Sequence, residues 1–62
     1  MSTDISKEFV QDLDNRIQTI KKAALELQEL SGDIQAVYRN ADRILASVKM
    51  LEINVTDVLD VI

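Results

Sequence analysis

Cysteine, histidine, proline and tryptophan are all missing from this 62-residue chain, and glycine, tyrosine and phenylalanine occur once each, as Gly32, Tyr38 and Phe9. Each absence removes a class of protein. Without cysteine there is no disulfide framework, and without cysteine or histidine the usual zinc sites and the common nucleophile–base pairs are excluded. A single glycine cannot build a phosphate-cradling loop, and two aromatic rings are too few for a base-stacking platform. No apolar run approaches the roughly 18 residues of a membrane span, and the N-terminal stretch, with Asp4 and Glu8, lacks the basic flank and apolar block of a signal peptide. Basic residues are outnumbered 7 to 11, a formal net charge of −4, which disfavours both nucleic acid and anionic lipid. The expectation is a soluble, non-enzymatic protein without metal or cofactor. A chain free of cysteine suits a reducing compartment, so the default location is the cytoplasm.

The apolar fraction of 47% is that of a folded protein. A chain of this size buries only about 60% of the surface it exposes when unfolded, and with disulfides and zinc excluded, association is the remaining source of stability. The sequence supplies the means. Ile34, Val37, Ala41, Ile44, Val48, Leu51, Val55, Val58 and Ile62 return every three or four positions, as do Val10, Leu13, Ile17, Ile20, Ala24 and Leu27 before them. That spacing places each set on one helix face.

Gly32 divides the two stripes. In Ser31-Gly32-Asp33 the glycine is suited to the left-handed conformation that ends a helix, and Asp33 to capping the next one. The sequence therefore predicts an all-α antiparallel helical hairpin: helix 1 over about 3–31, a turn at 31–33 and helix 2 over about 34–61. Ser2, Thr3 or Asp4 would cap the first helix. Two alternatives stay open. One is a single continuous helix, because Leu13, Ile20, Leu27, Ile34, Ala41, Val48, Val55 and Ile62 fall seven apart across the glycine. The other is a strand over 53–62, a segment rich in β-branched residues. Apolar spacing that runs to the last residue is also compatible with a piece of a longer chain.

Folding at Gly32 sets residues whose numbers sum to about 65 opposite one another, pairing Val10 with Val55, Ile17 with Val48 and Ala24 with Ala41. The stripe on the second arm, widened by Tyr38, Leu45 and Leu59, exceeds what one neighbour covers and suits a bundle core. The predicted assembly is a homodimeric four-helix bundle, with Leu45, Leu59 and Ile62 nearer the partner. An Asp at Ile44 or Val48 is expected to unfold it. The chain reads as an assembly or protein-interaction module. The same stripe would equally serve an accessory subunit docking on a different helical protein.

Charge is segregated. Residues 1–15 carry Lys7 against Asp4, Glu8, Asp12 and Asp14, and residues 50–62 carry Glu52, Asp57 and Asp60, so each segment is net −3. Residues 16–49 hold six basic residues against Glu26, Glu29, Asp33 and Asp42, net +2, which favours two hairpins packed head to tail. Lys21, Lys22, Arg39 and Arg43 form a candidate surface recognition patch. In length and architecture the expected hairpin resembles the Rop family of plasmid regulators, which dimerise into a four-helix bundle and bind paired RNA. It shares no sequence motif with them, and RNA binding, which the resemblance implies, conflicts with the acidic balance. The carboxylate pairs Glu26 with Glu29 and Asp57 with Asp60 read as solvated helix faces, and Asn54-Val55-Thr56 as a chance match to a glycosylation acceptor.

Overall fold

The computed structural model describes residues 6–61: helix α1, Lys7–Leu30, a short turn, and helix α2, Gln35–Val61, packed against α1 as a hairpin. The expected caps Ser2, Thr3 and Asp4 and the terminal Ile62 lie outside the described residues. Ser6 takes the capping role instead. Its backbone is extended, and its hydroxyl accepts the Phe9 N–H at 3.1 Å while its carbonyl accepts that of Val10 at 3.1 Å. This satisfies donors the first turn leaves open, and Glu8 adds favourable charge at the positive helix end.

The break falls where the sequence places it. Ser31 keeps right-handed backbone angles, and Gly32 then takes φ +54°, the left-handed region that glycine enters without steric cost. The Ile34 N–H returns to the Ser31 carbonyl at 2.8 Å, closing the turn. The cap expected of the Asp33 carboxylate is made by backbone instead. The carbonyl of Asp33 accepts the Gln35 N–H, and that of Ile34 accepts Val37 and Tyr38, so α2 starts at Gln35. It stays helical through 53–61, because the step Val48, Leu51, Val55, Val58 never changes to the period of a strand.

Between the helices runs a seam one side chain wide. Val10, Ile17 and Ala24 on α1 with Ser31 just past its end, and Ala41, Val48 and Val55 on α2, are buried, each set stepping by seven. Val10, Ile17, Val48 and Val55 cluster near the open end, with Val58 packed against them. Small Ala24 and Ala41 occupy the part nearer the turn. Ser31 extends the same series, and its hydroxyl donates to the Gln28 carbonyl at 2.8 Å, so no polar group is stranded beneath the turn.

Candidate functional site

At about 100° per residue, the position three after a seam residue and the one before it fall on one side of the seam, while the position four after falls on the other. On the first side stand Leu13, Ile20 and Leu27 of α1, and Ile44, Leu51 and Val58 of α2. Phe9, Leu13, Ile20, Leu51 and Val58 line an apolar groove over the open-end half of the hairpin, bordered by Arg16 and Asn54, and Leu27 and Ile44 stand exposed on the same side nearer the turn. Val58 is half-buried; the other six are between 40% and 53% exposed. A pair of helices has one contact line, so among the described residues nothing covers the second half of each stripe.

This divides the residues that the sequence assigns to one core and interface. Val10, Ile17, Ala24, Ala41, Val48 and Val55 are buried, and Val37, Leu45 and Val58 half-buried. Leu13, Ile20, Leu27, Ile34, Ile44, Leu51 and Leu59 are exposed in the single hairpin, so of the residues expected in core and interface these are the ones its own two helices leave uncovered. Leu45 and Leu59, expected nearer a partner, stand apart from the apolar groove. Each is four residues beyond a seam residue, on the side away from the apolar groove, and Leu59 borders a cleft with Lys7, Gln11, Asp14 and Thr56. Phe9 and Tyr38 are rim residues, each about half exposed.

The other flank is polar and closed by a cluster that sequence reasoning missed. Gln18 Nε2 donates to Glu52 Oε2 at 2.9 Å, and Lys21 Nζ reaches the same oxygen at 3.4 Å. Helical side chains lean toward the N-terminus of their own helix. In an antiparallel pair Lys21 and Glu52 therefore lean toward each other, which lets them meet although Glu52 lies further toward the open end. The Gln18 hydrogen bond, followed by the bond and charge of Lys21 and the charge of Lys49, holds the Glu52 carboxyl below its ordinary range against the opposing effect of partial burial. A signal was present: Lys21 is four residues after Ile17, and Glu52 four after Val48.

That contact places Lys21, expected in a recognition patch, on the polar flank, with 42% of its side chain still exposed. The remaining members do not share a surface with it. Arg39 and Arg43 stand two residues either side of buried Ala41 and face outward from α2, while Lys22 faces outward from α1. Arg16 pairs with Asp12 on its own helix at 3.6 Å, both well exposed. Glu26, Glu29, Asp57 and Asp60 are exposed, and among the described residues no three potential metal ligands gather. Asn54-Val55-Thr56 lies within α2, with Val55 buried and the Thr56 hydroxyl donating to the Glu52 carbonyl at 3.0 Å. Among the described residues no helix is long and apolar enough to cross a membrane. Comparison with family models, with curated proteins and with solved structures finds no match to this chain.

Proposed function

We propose that this protein is a non-enzymatic assembly module whose apolar groove is its functional surface, and that the groove is covered by a second copy of the chain to give a homodimeric four-helix bundle. The observation that carries the reading is the row Leu13, Ile20, Leu27, Ile44, Leu51 and Val58, large apolar groups at heptad spacing on both helices of one face. Such spacing suits interdigitation with another helical layer, and both helices present it alike, so the face is complementary to itself. Its size is adequate. The hairpin measures 47 × 20 × 15 Å, and its broad side offers roughly 900 Å², against about 800 Å² per partner in a standard interface.

Function then resides in binding, with the seam holding the two helices in register and the groove joining copies. Sedimentation equilibrium on the 62-residue chain, with helicity measured on the same samples, tests this. A mass of twice the chain with high helicity is the expected result. A monomer across the whole concentration range would reject self-association and turn attention to a different helical protein as the occupant.

A further inference from the structure

The apolar groove can receive a second copy in two ways, with the turns at the same end or at opposite ends, and its large apolar residues match in both. The rim and the charge do not. One residue before each buried seam residue stands a rim position turned toward the missing layer: Phe9, Arg16, Ala23 and Leu30 on α1, and Asn40, Ser47 and Asn54 on α2. With turns at the same end, α1 lies along the partner's α2, which sets Phe9 against an asparagine, Arg16 against a serine and Leu30 near the partner's Asp33. Leu30 is 81% exposed, the largest exposure among the described large apolar residues.

With turns at opposite ends, each helix lies antiparallel to its own copy and each rim series meets itself reversed. Asn40 then faces the partner's Asn54, Ser47 the partner's Ser47, Arg16 the partner's Ala23, and Phe9 the partner's Leu30. The uncharged polar ladder mates with itself, and the most exposed leucine gains an aromatic cover. The midpoints of the two series, Ser47 on α2 and the interval from Thr19 to Ile20 on α1, lie within about one helical turn of the same level, as a single two-fold axis requires. Charge favours the same choice. Among the described residues the two segments at the open end, 6–15 and 50–60, are net −2 and −3 and residues 16–49 net +2, so opposite turns set each acidic end beside the partner's basic part, while turns at the same end would crowd four acidic segments together.

We propose that the dimer forms with its turns at opposite ends, about a two-fold axis passing beside Ser47. This rests on self-association through the groove, and the test separates the two claims. Because the chain has no cysteine, Ser47→Cys introduces a unique thiol. Oxidation of the full-length variant is expected to give near-complete conversion to a covalent pair, outpacing an outward control, Asp42→Cys, with helicity unchanged. A dimer by sedimentation in which Ser47→Cys fails to cross-link, while an Arg16→Cys, Ser47→Cys double variant does so between chains, would overturn the orientation and leave self-association standing. Equal cross-linking of Ser47→Cys and the control would mean collision and would also overturn it. A monomeric mass for the unmodified chain would overturn both claims.

Discussion

The two flanks of the seam begin from the same residues and differ by one step along the helix. Positions three after the buried residues are Leu13, Ile20, Leu27, Ile44, Leu51 and Val58; those four after are Asp14, Lys21, Gln28, Leu45, Glu52 and Leu59. The second flank satisfies its chemistry inside the chain, since Glu52 takes both Gln18 and Lys21. On the first, five apolar side chains stay exposed and Val58 is half-buried, with no covering layer among the described residues. A shift of about 100° around the helix axis therefore separates the polar flank that closes the hairpin from the apolar flank that stays exposed.

The sharpest way to break this division is to attack what both flanks depend on. Val48→Asp puts a charge at a site 2% exposed, with no cation placed to pair with it in the apolar cluster. The expected loss is about 3–5 kcal/mol, enough to abolish the far-ultraviolet helical signal in so small a protein. Next in size is a change confined to the apolar flank. Ile20→Asp with Leu51→Asp alters side chains 45% and 40% exposed, which the hairpin seam does not need, and should reduce the sedimenting mass to that of one chain. Leu25→Asp, equally exposed but on the other flank, should leave the mass unchanged. A mass that responds to Leu25 and ignores Ile20 and Leu51 would reverse the assignment of the two faces.

A smaller effect is expected at the turn. Gly32→Ala meets no atom within 4 Å, so its cost comes from the backbone at φ +54° and should be roughly 1–2 kcal/mol, read as a fall in melting temperature. The smallest change sharpens the polar flank. The lowered pKa of Glu52 means that its contribution is present above the ordinary value of 4.5 and is lost as pH falls through the lowered one. Glu52→Gln should therefore lower stability slightly at neutral pH, match the unmodified chain once pH has fallen through the lowered value, and so flatten the decline below about pH 4.5, followed by thermal unfolding across a pH series. An unchanged acid limb would remove Glu52 from the forces that close the hairpin.

The seam was legible because Val10, Ile17, Ala24, Ala41, Val48 and Val55 keep a seven-residue step and pair by a simple sum across Gly32. Leu13, Ile20, Ile44 and Leu51 carry the same kind of apolar signal, so periodicity alone merges them with the core. Counting neighbours separates them, since one partner helix covers one strip and no more. Ser31 was legible as a turn residue and not as a buried one, although it continues the series from Ala24. Lys21 and Glu52 were missed for another reason: they are far apart in sequence and offset in level, and they meet only because antiparallel side chains lean toward each other.

The turn carries a further consequence. Leu13, Ile20, Leu27, Ile34, Ala41, Val48 and Val55 step by seven from the apolar flank of α1, through the loop, into the seam of α2. If Gly32 left its left-handed conformation and the helices joined, the apolar stripe would run on unbroken while the buried line shifted by three residues, about 60°, from the series ending at Ser31 to the one starting at Ala41. Two opened chains could then each lend an arm to the other and keep apolar against apolar with exchanged partners. The hairpin's apolar pattern resists domain swapping only weakly, and the backbone of one glycine, with the Ser31 to Ile34 hydrogen bond beside it, is what keeps each chain's arms its own.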